Sequence, residues 1–192
     1  MTAKKVAVAA ALLVVVLAGL VFWFVQRGFS AKDQPTRLEA ALARRLRRLA
    51  IPAAASRTIN PMPASAEMLK MGISHFADHC ASCHGNDGSG ATEIGGNLYP
   101  KAPDMRLAAT QSLSDGELFY IIENGVRFTG MPAWSTGTPE GAVETWHLVQ
   151  FIRHLPALTP AELEDMEALN PKSPSELEEE KEDREFLDGT TR

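Results

Sequence analysis

Two thiols and an imidazole stand together at Cys80-Ala81-Ser82-Cys83-His84, and no other cysteine occurs in the 192 residues. On a turn of helix, residues three apart face the same way. Two thiols so placed can add to the two vinyl groups on one edge of a porphyrin, and the next residue swings its imidazole beneath the ring toward the iron. C-x-x-C-H is the attachment pattern of a c-type haem. The rival chemistries lack their context. A thioredoxin-like dithiol wants a βαβ surround, which this sequence does not offer. A structural zinc site wants four ligands, and the nearby supplements, His75 and His79, lie immediately before the motif on the same helix. Two cysteines are too few for a cysteine-ligated iron–sulfur cluster or a disulfide-dense scaffold.

A haem iron needs a sixth ligand or an open site, and Met131 is the best candidate. It stands in Asn124-Gly125-Val126-Arg127-Phe128-Thr129-Gly130-Met131-Pro132-Ala133-Trp134, where Gly130 permits close backbone approach and Pro132 stiffens the loop that aims the thioether. Met105 competes with it, and His147 or His154 would give a bis-histidine iron. Met62, Met68, Met71 and Met166 read as packing or exposed residues.

These groups have to be positioned by helices. Ser65 to Ala81 reads as a helix with Gly72, Phe76 and Cys80 sharing a face at four-residue spacing. Ser114-Asp115-Gly116-Glu117 is a capping box that opens a helix through Leu118, Ile121 and Ile122, ending at Asn124-Gly125. Thr138-Pro139 starts another through Trp146, Leu148, Phe151 and Ile152, and Pro156 stops it. No segment alternates with period two, so the domain is all-α, with long loops at 85–113 and 126–137 that are functional by their length. The glycine-rich stretch 85–97 lacks the strand and Gly-Lys-Ser/Thr of a phosphate cradle and the spaced acids of a calcium loop. Its glycines suit a backbone that wraps closely round a haem edge.

The flanks belong to other environments. Residues 1–60 carry ten Lys/Arg against two Asp/Glu, residues 61–156 five against ten, and residues 157–192 four against twelve, within a net charge of −5. Blocks of this kind say more than the total, and a pI near 5.6 argues against nucleic acid as a partner. Val6 to Val25 is twenty residues without a charge, about 30 Å of helix and enough to cross a bilayer's hydrocarbon core. Its length and the Gln26-Arg27-Gly28-Phe29 that follows favour an uncleaved signal anchor over a cleaved peptide. Lys4 and Lys5 before it are matched by Arg27, Lys32 and Arg37 after it, so charge leaves the orientation tied. Pro35 to Ile51 places Leu38, Leu42, Leu46 and Leu49 at helical spacing beside Arg44, Arg45, Arg47 and Arg48. That pattern suits a basic amphipathic helix on anionic lipid or on a partner subunit, or an ordinary spacer. Residues 52–64 read as a Pro/Ala linker too poor in large apolar residues to build a core. Thr159-Pro160-Ala161-Glu162 and Ser173-Pro174-Ser175-Glu176 have the form of capping boxes ahead of a strongly acidic tail. The expected organisation is an anchor over 1–27, the basic helix and linker over 28–64, a globular domain over 65–156, and an acidic helical or disordered tail over 157–192.

The globular stretch resembles a class I c-type cytochrome, similar to the single-haem domains of respiratory oxidases and dehydrogenases. The points of likeness are Cys80-x-x-Cys83-His84-Gly85, the later Gly130-Met131-Pro132, and a pair of terminal helices that bracket them. The resemblance implies a cytochrome c fold with one covalent haem c, thioethers at Cys80 and Cys83, and iron held by His84 and Met131. It implies a tight crossing of the first and last helices, for which Gly72 and Phe76 stand opposite Leu148 and Phe151. It also implies a carbonyl, from Pro100 or Pro103, that accepts a hydrogen bond from the histidine's free ring nitrogen. Tyr99, Arg106, Arg127 and Trp134 are candidate propionate partners. Haem attachment outside the cytoplasm would place the N-terminus inside and the domain on the periplasmic side of the membrane. The expected function is one-electron transfer between respiratory-type redox partners, such as a membrane oxidase, a dehydrogenase or a quinol-oxidising complex, rather than catalysis. A haem-based gas or redox sensor, or a peroxidase-like enzyme, is the alternative, with a displaceable sixth ligand.

Overall fold

The computed structural model describes residues 2–187, and its chain divides into two units after Asp33. The first unit is α1 (Ala3–Gln26), a single helix whose described side chains all face solvent. Its 24 residues give about 36 Å of length. It is long and apolar enough to cross a membrane, and it begins three residues before the uncharged run, taking in Lys4 and Lys5.

The second unit holds the remaining helices: α2 (Arg37–Ala50), α3 (Ala53–Ser56), α4 (Ala66–His75), α5 (Ala81–His84), α6 (Glu93–Asn97), α7 (Ala108–Gln111), α8 (Asp115–Asn124), α9 (Pro139–His154), α10 (Pro160–Leu169) and α11 (Pro174–Leu187). Among the described residues there is no strand, in line with the all-α expectation.

The core is built where α4 crosses α9. Gly72 makes the crossing possible: a Cβ there would run into the His147 carbonyl and come within 3.0 Å of the Phe151 Cβ. One turn on, Phe76 packs its ring 4.8 Å from Phe151, and both are buried. Burying a side chain of this size contributes about 1.5–3 kcal/mol. Leu148 is buried too, but the groups that meet Gly72 are the His147 backbone and Phe151. On the other side of α9, Trp146 stacks on Phe119 of α8 at 4.2 Å. The chain bends into these helices at side-chain caps. Ser114 and Glu117 close a capping box on α8, Thr159 and Glu162 close one on α10, and the Thr138 hydroxyl accepts from Gly141 N–H ahead of α9.

Three features depart from the sequence reading. The helix expected over Ser65–Ala81 is not continuous. α4 ends at His75, and Phe76–Cys80 forms a π turn in which Ala81 N–H reaches the Phe76 carbonyl. Across the wider turn Cys80 still packs against the cluster that holds Phe76. The stretch read as a linker is docked. Ile51 is buried, α3 packs on α8, and the Ser114 hydroxyl donates to the Ser56 carbonyl at 2.9 Å. Backbone carbonyls hold this segment, so its poverty in large apolar residues is no obstacle. Third, the acidic end is not uniformly a tail. Met166 of α10 is fully buried, and α10 packs on the π turn and α4, whereas α11 buries nothing.

Candidate functional site

Cys80 closes the π turn, and Cys83 and His84 ride on the single turn of α5. The loop that follows folds back on that turn and satisfies its last carbonyls. Gly90 N–H donates to the His84 carbonyl at 2.7 Å, and the Thr92 hydroxyl donates to the Cys83 carbonyl at 3.0 Å. Gly85 takes a positive φ of 73°, which a glycine tolerates without penalty, and its N–H bonds the Ala81 carbonyl at 2.7 Å. Gly95 lies so close to Cys83 that a Cβ would strike the Cys83 carbonyl. The glycines of 85–97 therefore serve a backbone-on-backbone contact that clamps the motif itself. Thr92 was not singled out by the sequence reading: a threonine can cap the turn that follows it, as its bond from Gly95 N–H at 2.9 Å does here, but nothing local points to its bond with Cys83.

His84 is part-buried, with Phe76 beside it at 6.4 Å between ring centroids. Burial lowers its pKa, which keeps the ring neutral as a metal ligand requires. Its Nδ1 atom is buried without a hydrogen-bond partner. Neither Pro100 nor Pro103 offers its carbonyl, contrary to expectation. Burial, with Cys83 adjacent, pushes the Cys80 thiol up to about 12. A reactive redox thiol needs the opposite shift, so Cys80 is ill suited to disulfide exchange. Among the described residues no three His, Cys, Asp or Glu side chains converge on a metal position, which leaves the zinc reading without a donor set.

Met131 lies half-buried in a loop tied down on both sides. Val126 N–H donates to the Met131 carbonyl at 3.1 Å, and Met131 N–H donates to the Thr129 hydroxyl, also at 3.1 Å. Gly125 ends α8 at φ 65° and ψ −170°, a conformation open to glycine alone. A Cβ there would sit 2.7 Å from the Met131 carbonyl. At Gly130 the loop meets the other one, because a Cβ would press to 2.6 Å from Leu98 Cδ2. Trp134 then sets its ring edge-on to His79 at 5.6 Å, one residue before Cys80. Met131 is thus held between two anchors on the segment that carries the thiols and its loop. Leu98 is a positioning residue that no motif marked.

Of the other candidates, Met105, His154, Arg106 and Tyr99 are otherwise engaged. Met105 is buried in the core, and its N–H donates to Gly88. His154 pairs with Glu162 at 2.9 Å. Arg106 is spanned by Asp104 at 2.8 Å and Asp87 at 3.0 Å, and the Tyr99 hydroxyl donates to Glu39. Arg127 is exposed.

An imidazole with an orphaned buried nitrogen, two thiols on adjoining turns and a thioether on a pinned loop are residues that fit haem c. The all-helical unit, with Cys80-x-x-Cys83-His84 on its π turn and α5, is a c-type cytochrome domain. Residues 67–152 match the family model described as cytochrome c oxidase, cbb3-type, subunit III. The chain therefore carries a cytochrome c domain, and that class of domain binds haem c covalently, with its iron. No curated protein matches the chain.

Proposed function

We propose that the chain is a membrane-tethered one-electron carrier with a single haem c. Thioethers form at Cys80 and Cys83, and the iron is held by His84 on one side and Met131 on the other. The observation that carries this reading is the pairing of a buried, unpartnered His84 ring with a Met131 loop pinned at Gly130 and Trp134. When bound, the haem supplies reversible one-electron exchange at its iron, with a potential raised by a thioether ligand. The residues of the chain do the rest. His84 offers a neutral nitrogen, Thr92 and Gly90 hold the turn that aims it, and the Val126–Thr129 bonds keep the Met131 sulfur from swinging away.

α1 supports a membrane tether, and attachment of haem outside the cytoplasm supports a periplasmic domain. The match to a cytochrome c oxidase subunit supports respiratory partners, an oxidase foremost. Tethering raises effective concentration, so weak and fast docking suffices.

An absorption spectrum of the purified ferric protein beside its Met131→Ala variant tests the ligation. A weak far-red sulfur–iron band that is present in the parent and lost in the variant is the expected result. Absence of the band from the parent would leave the sixth position open or histidine-bound and overturn the carrier reading in favour of sensing or catalysis.

A further inference from the structure

α2 is mounted with its faces reversed. At about 100° per residue, Leu38, Leu42, Leu46 and Leu49 fall in one stripe about 80° wide. All four are exposed, Leu38 at 80% and Leu49 at 74%. The helix meets the rest of its unit through the opposite side. There Ala40 and Arg47 are half-buried and Ile51 is buried. Arg48 Nη2 donates to Ser112 Oγ at 3.1 Å, and Glu39 accepts from Tyr99. An amphipathic helix of a globular domain buries its leucines and leaves its charges in water. This one buries the Arg47 Nε without a partner and turns four leucines outward.

The surroundings of the stripe say what covers it. Arg45 borders the leucines, and Arg48, Arg37 and Arg44 lie progressively further round that flank toward the side that meets the protein, while Glu39 is the single acid of this strongly basic helix and lies on the other flank. A second copy of the chain would bring those arginines against one another. Ten residues, 27–36, separate the end of α1 from the start of α2, a tether of at most about 36 Å. A surface that is apolar in its interior and anionic at its rim, within that reach, is a lipid bilayer.

We propose that α2 is an interfacial helix, with its leucines among the acyl chains and Arg45 at the phosphates of anionic lipid, drawn there by the net positive charge of the helix. The proposal rests on α1 being the membrane anchor. It gives the carrier a second attachment to the membrane, one that depends on lipid charge.

The test uses the full-length holoprotein, one copy per nanodisc, with a spin label at Leu42→Cys. Thioether linkage occupies Cys80 and Cys83, so the introduced thiol is the one that labels. A second sample labelled at Val14→Cys reports on α1. In discs of phosphatidylcholine with phosphatidylglycerol, the Leu42→Cys label should gain access to oxygen and lose access to a water-soluble nickel chelate several-fold relative to phosphatidylcholine alone. Replacing Arg45 by Gln should weaken insertion by about fivefold.

If the label stays open to nickel in anionic discs while the Val14→Cys label is shielded, the proposal is overturned and the anchor stands. Nickel access at Val14→Cys would instead remove the anchor, and the proposal with it. A Leu42→Cys label equally shielded in phosphatidylcholine alone would mean that anionic lipid is not what holds the stripe, which also overturns it.

Discussion

At the scale of single residues, the site depends less on its donors than on the small residues that let backbone close round them. Gly125 is the sharpest case, since its ψ near 180° at positive φ excludes other residues and its missing Cβ leaves room for the Met131 carbonyl. Gly125→Ala costs on the order of 1–3 kcal/mol from backbone strain, and the relief available is displacement of the Met131 loop. The expected outcome is a protein that still binds haem at Cys80 and Cys83. Its far-red band is weakened and its midpoint potential lowered, as read by a spectroscopic redox titration. A variant with full band and unchanged potential would show that the loop is not what holds the sulfur. The proposed donors are legible in the sequence as candidates, because thiol, imidazole and thioether chemistry is written in residue type and spacing. Leu98 and Thr92 were not, because their roles arise from contacts that no local pattern encodes.

At the scale of elements, α10 is held by one buried side chain and one ion pair. Met166 enters the core, and Glu162 joins the Thr159 N–H and hydroxyl to His154 of α9. Partial burial works to raise the Glu162 pKa, but the bonds from Thr159 and the neighbouring His154 outweigh it and hold the carboxyl below its ordinary value. A depressed carboxylate stabilises the folded state fully above its unfolded pKa and loses that contribution as pH falls through the folded one. Glu162→Gln should therefore lower the Tm at neutral pH, with the gap to the parent closing below the ordinary glutamate range. A gap constant down to acid pH would mean that the carboxylate charge plays no part. The capping boxes that start α8 and α10 were readable because an N-cap is a local device. The π turn at Phe76–Cys80 was not, because it arises where Gly72 and Phe76 are both committed to α9.

For the whole molecule, charge is laid out in blocks, basic before residue 60 and acidic after residue 157. α11 carries Glu176, Glu178, Glu179, Glu180, Glu182 and Glu185 with no buried residue, and Lys172 reaches across to Glu180. Such a surface steers a basic partner in a salt-dependent way. Removing residues 171–192 should leave the Tm unchanged and flatten the dependence of electron-exchange rate on ionic strength. An unchanged salt slope would take the tail out of docking. Removing residues 157–192 instead withdraws Met166 from the core, a loss on the scale of a buried methionine truncation, about 2–5 kcal/mol, and should lower the Tm clearly. The pair of truncations separates a docking role from a structural one.

The sequence by itself pointed to the chemistry and to the longer helices. C-x-x-C-H, the methionine between Gly130 and Pro132, the uncharged twenty-residue run and the capping boxes are local signals, each carried by a few neighbouring residues. Tertiary structure alone decided where Cys80 points, which carbonyls the glycine loop caps, and that Leu98 and Trp134 pin the Met131 loop. It also decided that residues 52–64 dock on α8 and that α2 turns its leucines outward. Each of these depends on which surfaces meet across distant stretches of chain. Hydrophobic periodicity reports that a helix has an apolar face, and only packing decides whether that face or its opposite meets the core.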